Sequence, residues 1–336
     1  MFAGEIDLND WYKPNINKNI LKGLSKRSDL KGIIDVFIYL LSLVVSGYFC
    51  ILTWGTWWSL LSFFVYGNIF YSKAISIQHE TNHETFFKSR WLNKLFYHIT
   101  SLIGGFEQVR WKWSHFHHHS YTIFTSEEKY DYENNAPRPT EPIRFLISFL
   151  PFGPLLNIQK IRHFTHFEII KHSLGVVTPV VKITVPKEEI KRVINSSRLY
   201  VLFWLFIILL SVTFNSWLPI LMIILPPFYG NTILILMALT QHAGLADNSK
   251  DHRKSTRTVI LNPIFSFLYS NMEYHIEHHI FPKVPCHNLK KLHKHLKNQF
   301  PKPCKGLLDT YKIIIPTIFK QAKDKNYYID INLPTS

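Results

Sequence analysis

The sequence predicts an all-α integral membrane protein: four transmembrane helices in two hairpins, carrying a cytoplasmic helical cap. Three observations support this. Four apolar runs approach the ~20 residues that a helix needs to cross a bilayer core, and they pair across short uncharged turns. The Lys and Arg residues avoid those turns and crowd the remaining segments, as the positive-inside rule requires. Histidines bunch in the polar segments at offsets that share one helix face.

Residues 1–32 are polar and basic and lack an apolar core, so they are expected beside the membrane and not as a cleavable signal. The first span covers 33–52, with Asp35 near its start, and the second covers 57–77 after the turn at Thr53 to Thr56. Lys73 lies near the end of the second span, where a long side chain reaches the interface. The segment 78–198 is polar overall. Within it, 91–105 and 143–158 are too short or too broken to span and are expected as interfacial or re-entrant pieces. The third span is 199–214 and the fourth 218–239, which Pro226 and Pro227 should kink. The remainder, 240–336, is polar and basic, with an exposed helix expected over 290–297.

Residues 1–32 hold six Lys and Arg, 78–198 sixteen and 240–336 fifteen, and the inter-span turns hold none. Both termini and the central segment are therefore expected in the cytoplasm. No internal repeat or low-complexity linker divides the chain, so 1–336 is taken as a single domain with 78–198 and 240–336 forming the cap.

Charged residues make up 18% of the chain, below the ~25% of soluble proteins, while aromatic residues reach 15%. The net charge of +15 raises nucleic acid as a partner. The basic residues track membrane topology and form no binding stripe, which excludes that class and suits an anionic lipid leaflet. Cys50, Cys286 and Cys304 form neither a Cys-x-x-Cys pair nor a disulfide framework.

Three histidine clusters carry the chemistry. His79 and His83 stand at i, i+4; His115, His118 and His119, and again His275, His278 and His279, stand at i, i+3, i+4. Pro282 ends the last cluster's helix. His79 follows the second span and His242 the fourth, so two extended helices would deliver them to a common site. The nine candidate ligands are His79, His83, His115, His118, His119, His242, His275, His278 and His279, too many for one ion and enough for two. Imidazole suits zinc as well as iron; the absence of a Cys or carboxylate set favours a redox pair of irons. His98, His163, His166, His172, His252, His287, His293 and His295 have no supporting spacing, and His117 falls opposite the ligand face.

The order His-x-x-x-His, His-x-x-His-His, then His-x-x-His-His running into Phe281-Pro282, resembles the integral-membrane fatty acid desaturase superfamily, which includes membrane hydroxylases. The likeness runs from the first span to about residue 285, and the segment from Gln241 to Leu245 resembles the extra histidine which that group places after its last span. The resemblance implies two histidine-bound iron ions (non-haem) and O₂ as co-substrate, with two electrons supplied from outside to break an unactivated C–H bond. No catalytic residue beyond the metal ligands is expected. Around them, Asn271 one turn before His275 and Trp111 one turn before His115 are candidates for the supporting shell, as are Glu80 and Glu107. Glu273 and Glu277 face away from the ligands and are expected in salt bridges. Asn82 and Glu84 depart from the small residues common in acyl-lipid desaturases.

The leading functional expectation is a fatty acyl (lipid) desaturase. The alternative is a membrane di-iron hydroxylase or monooxygenase, including one that oxidatively demethylates a small polar substrate, because the third box also resembles rhizopine oxygenases. A metal transporter is the distant alternative; it is disfavoured because the spans lack histidine and carry charge only near their ends. The chain has neither an iron–sulfur motif nor a His-Pro-Gly-Gly signature like that of a fused cytochrome b5. The electron donor is therefore a separate protein, ferredoxin-like or cytochrome b5-like, with its reductase. The Lys-, Asn- and Ile-rich composition points to a bacterial inner membrane.

Overall fold

A computed structural model describes residues 11–126, 129–133, 141–156 and 165–334. The helices that matter below are α1 (Asp29–Leu52), α2 (Trp58–Asn82), α3 (Arg90–Gly104), α4 (Gln108–Ser120), α5 (Ile190–Thr213), α6 (Thr232–His242), α7 (His275–Ile280), α8 (Cys286–Leu296) and α9 (Gly306–Lys323). Besides short helical pieces, the described residues form one two-residue parallel ladder, β1 (Val259–Ile260) with β2 (Cys304–Lys305). The described residues fall into two compact units. One, the apolar unit, draws on segments 28–112 and 147–235; the other, the histidine-rich unit, draws on 1–27, 113–146 and 236–336.

In the apolar unit, three helices are long and apolar enough to cross a membrane: α1, α2 and Lys187–Thr213, which takes in α5. Ser28 starts α1 by accepting the Lys31 N–H at 3.3 Å. The helix is apolar all round, and Leu30, Phe37, Val44, Tyr48 and Leu52 are exposed, a pattern that suits lipid and not a soluble core. Its turn to α2 is closed by Thr53 and Ser62, whose hydroxyls lie 2.7 Å apart, with Gly55 at φ 80°. The exposed Trp54, Trp57 and Trp58 there suit a headgroup boundary. Buried Lys73 is paired with Asp35 at 2.7 Å, so it does not reach out to an interface as the sequence led us to expect.

The fourth apolar run does not form one continuous span. It breaks into a π-turn (Ile220–Ile224), a short helix (Pro226–Tyr229) and α6. Pro226 and Pro227 lack N–H donors, so the helix cannot run through them. Gly230 allows backbone contact with Gly67, where an added Cβ would lie 2.0 Å from the Gly67 carbonyl carbon. The freed groups find side-chain partners, as groups away from water must. Asn68 Oδ1 accepts Ile233 N–H at 2.8 Å, Tyr66 OH donates to Met222 O at 3.0 Å, and Tyr229 OH donates to Leu221 O at 2.8 Å.

The piece expected to be interfacial at 91–105 is α3, which exposes Trp91, Leu95 and Ile99 one turn apart and buries Thr100 and Ser101. The other such piece, 143–158, holds two short helices, Pro142–Ile147 and Gly153–Leu156; residues 157 and 158 lie outside the described residues.

In the histidine-rich unit, α8 buries Leu289, Leu292 and Leu296 and exposes Lys290, Lys291 and Lys294, with exposed Lys297 at its C-cap. It is the exposed basic helix expected over 290–297, begun earlier, at Cys286. The N-terminal helix Lys18–Leu24 packs on α8, and Asn288 Nδ2 donates to Leu24 O at 2.7 Å.

Candidate metal centre

Helix α4 presents His115, His118 and His119 through its i, i+3, i+4 offsets, and its last turn runs to Ser120. Helix α7 is only six residues long, with His275, His278 and His279 all buried. Such a short helix needs outside support. It comes from Val259 N–H donating to Glu273 O at 3.0 Å and from the bridge between Thr258 and Tyr274. His242 closes α6.

Four imidazole pairs in this unit approach through their Nε2 atoms: His115 and His119 at 3.2 Å, His119 and His278 at 3.2 Å, His242 and His275 at 3.1 Å, and His275 and His279 at 3.0 Å. The ligand nitrogens of His118, His242, His275 and His279 all lie within 4.8 Å of one another, and those of His115, His119 and His278 do likewise.

The Nδ1 atoms of five of these rings have neighbours that orient them. His115 Nδ1 donates to Glu133 Oε2 at 2.6 Å, and His118 Nδ1 to Asp131 Oδ2 at 2.7 Å. His242 Nδ1 donates to Ser255 O at 2.9 Å. Thr122 Oγ1, whose own proton goes to His118 O at 2.7 Å, accepts His279 Nδ1–H at 3.2 Å. The Gln241 side-chain amide lies 3.0 Å from His275 Nδ1. A neutral ring that donates from Nδ1 presents a lone pair at Nε2. Lone pairs facing each other at 3 Å repel unless a cation lies between them. Adjacent nitrogen ligands about 2.1 Å from a shared ion are themselves about 3 Å apart, which is the spacing found. Carboxylate–imidazole pairs of this kind orient metal-binding histidines. The residues therefore fit bound metal.

The electrostatics agree. Burial disfavours charge on both Asp131 and His118, yet their mutual attraction, aided by Glu133, prevails. His118 is pushed up to about 9 and Asp131 held down to about 2. A field that favours a proton on that imidazole also favours a metal cation at it. Asp131 Oδ2 further accepts Ile123 N–H at 2.9 Å, holding buried Ile123 at φ 57°. A β-branched residue rarely adopts that conformation, and such strain clusters at functional sites.

In the apolar unit, His79 sits in the last turn of α2 and His83 caps it, with ring centroids 5.1 Å apart. Trp111 lies one turn before His115 on α4 and packs edge-on against Phe106 at 5.0 Å. Glu80 Oε2 accepts from Thr85 Oγ1 at 2.9 Å.

Two members of the expected supporting shell are placed differently. Glu107 serves as the N-cap of α4: it accepts Val109 N–H at 3.0 Å and Arg110 N–H at 2.7 Å, with Ser196 as a third partner. Its carboxylate is committed to those donors and orients no imidazole among the described residues. Asn271 is not one helical turn before His275, because α7 begins only at His275. Ser270 and Asn271 form a left-handed turn at φ 51° and 56°, and Asn271 Oδ1 accepts from Ser266 Oγ at 3.2 Å.

Glu277 does face away from the ligands, and pairs with His293 Nδ1 at 2.5 Å and Thr258 Oγ1 at 2.7 Å. Glu273 accepts from Ser266 in a hydrogen bond and not a salt bridge, and burial pushes its carboxyl up to about 7. The residues that sequence reasoning missed are Asp131, Glu133, Thr122, Ser255 and Gln241, together with His252 and His293, to which no role was given. The one available signal was the acidic stretch 127–133 in a strongly basic chain.

A comparison with curated proteins found no match. The sequence profile described as fatty acid desaturase matches residues 52–310, well over half the chain. All nine candidate histidines lie within that match, and their clusters are typical of the di-iron site of that family of oxidoreductases. The chain therefore belongs to the fatty acid desaturase family.

Proposed function

We propose that the chain is an O₂-dependent desaturase of fatty acyl chains, acting as a single domain over 1–336 with its metal site and both termini on the cytoplasmic face of a bacterial inner membrane. The ligands of the two irons are drawn from His79, His83, His115, His118, His119, His242, His275, His278 and His279, with His118, His242, His275 and His279 sharing one ion. The observation that supports this most is the convergence of imidazole Nε2 atoms whose Nδ1 atoms are tied to Glu133, Asp131 and Ser255.

When bound, the iron pair supplies O₂ activation. In the overall reaction O₂ accepts four electrons, two from the C–H bonds lost and two from the donor, and with the accompanying protons leaves as two waters. The chain supplies everything else. Asp131 and Glu133 hold two ligand rings at one tautomer and one orientation. His115, His118, His275, His278 and His279 are all buried, which keeps bulk water from the reacting carbon. A separate acidic electron carrier docks on the exposed lysines of α8, whose buried face reaches the ligand helix through His293 and Glu277.

The test is a product profile. Wild type and His279→Ala are expressed in a bacterial host with an added ferredoxin and reductase, and total lipids are compared by gas chromatography–mass spectrometry. A new double bond seen only with wild type is the expected result. An unchanged profile, from protein that holds iron and consumes O₂, would replace this reading with the hydroxylase or demethylase of a small substrate, and formaldehyde would be assayed next.

A further inference from the structure

The Nδ1 anchors of the candidate ligands are unequal. His115 and His118 donate to carboxylates and His242 to a carbonyl, all within 2.9 Å, whereas His279 has only the Thr122 hydroxyl at 3.2 Å. His279 has another neighbour. His252 packs against it with ring centroids 4.9 Å apart and planes 37° apart, and Trp11 stacks on His252 at 4.4 Å and 26°. His252 is 7% exposed, and its Nδ1 has no hydrogen-bond partner among the described residues. A buried imidazole without that bond carries a cost that the fold bears, and its ring lies between an indole and a candidate ligand ring.

Trp11 is itself tied down. Tyr12 N–H donates to Lys250 O at 3.3 Å, and the Arg253 guanidinium lies 3.2 Å from the Tyr12 ring centroid. Arg253 is fixed by Asp251 at 2.8 Å and donates to Gln299 O at 3.3 Å. The Gln299 side-chain amide holds the Asn15 backbone with two hydrogen bonds of 2.7 Å: its Oε1 accepts Asn15 N–H and its Nε2 donates to Asn15 O. Segment 11–15 is thus fastened around the short helix His252–Ser255, to Lys250 before it and to Arg253 within it.

We propose that Trp11 and His252 are positioning residues for His279, doing by ring packing what carboxylates do for His115 and His118, and that segment 11–15 is the strap that holds the stack in place. The proposal rests on the reading of His279 as a metal ligand. It gives segment 11–15 a role in retaining metal and assigns a function to His252, which is not among the candidate ligands.

The experiment uses the full chain purified in detergent and loaded anaerobically with ferrous iron. Iron per chain, the rate of iron transfer to a colorimetric ferrous chelator and the Mössbauer spectrum are measured for wild type and for Trp11→Ala, His252→Ala and His252→Phe. Supporting contacts to metal ligands are typically worth about 10–100-fold in affinity. Both Ala variants should release one of two irons at least about tenfold faster than wild type, with one of two quadrupole doublets altered. His252→Phe, which keeps a flat ring, should stay within about threefold of wild type. If an Ala variant fails to fold, Gln299→Ala removes the side chain that holds the Asn15 backbone while leaving both rings, and it should accelerate release of the same iron. Wild-type release and spectra in the folded variants would overturn the proposal, as would His252→Phe behaving like His252→Ala. A wild type that holds no more iron than His279→Ala would instead overturn the ligand reading beneath it.

Discussion

His118 Nδ1 donates to Asp131 Oδ2 at 2.7 Å, and the same oxygen accepts the N–H of Ile123. One carboxylate thereby sets the tautomer of a candidate ligand and pins the strained turn that follows its helix. Asp131→Asn keeps the size of the side chain but replaces the charge-assisted bond with a neutral one. Iron affinity should fall about 10–100-fold, measured by competition with a chelator of known affinity. Affinity equal to wild type would show that Asp131 serves the turn alone.

Lys73 and Asp35 form an ion pair between two helices of the apolar unit, with the Lys73 side chain fully buried. Removing one partner of a buried pair strands the other charge and typically costs about 3–5 kcal/mol, whereas replacing both by apolar residues is close to neutral. Lys73→Met should lower the unfolding temperature in detergent, and Lys73→Met combined with Asp35→Leu should recover most of the loss. Additive losses in the double variant would refute the pairing as the cause.

The exposed face of α8 carries Lys290, Lys291, Lys294 and Lys297, and its buried face carries His293, bonded to Glu277 of the ligand helix. Reversing the four lysines to Glu should slow reduction by an acidic ferredoxin by at least about tenfold at low salt and flatten the salt dependence of that rate. Iron content should not change. Stopped-flow reduction at several ionic strengths checks this, and a rate insensitive to both charge and salt would place the donor elsewhere.

The histidine clusters were legible because metal chemistry and helix geometry share a period. Imidazoles at i, i+3 and i+4 on α4 and α7 share a face whatever surrounds them. The first two spans were legible for a similar reason, since a run of about 20 apolar residues is a local property. The fourth run was expected to kink at Pro226 and Pro227, and the break there is wider than a kink: the helix restarts at Pro226 and again at Thr232. Asn271 misled because the helical period was carried back through a left-handed turn. Asn tolerates that conformation, but nothing nearby in the sequence demands it. Glu107 looked like an orienting carboxylate and proved to be a helix cap, a choice between two uses of one oxygen that only packing decides. Asp131 and Glu133 reach their imidazoles from a loop and Ser255 from the end of a four-residue helix, and Trp11 reaches His252 across most of the chain, so no local pattern announces them.

The most direct test of the central claim is the iron content of the purified chain, reconstituted anaerobically and freed of loose metal, beside His118→Ala and His119→Ala. The wild type should hold two irons per chain. Each variant should lose iron mainly from its own set, with the two variants altering different Mössbauer doublets. A wild type holding one ion or none, or two variants that alter the same doublet, would contradict it.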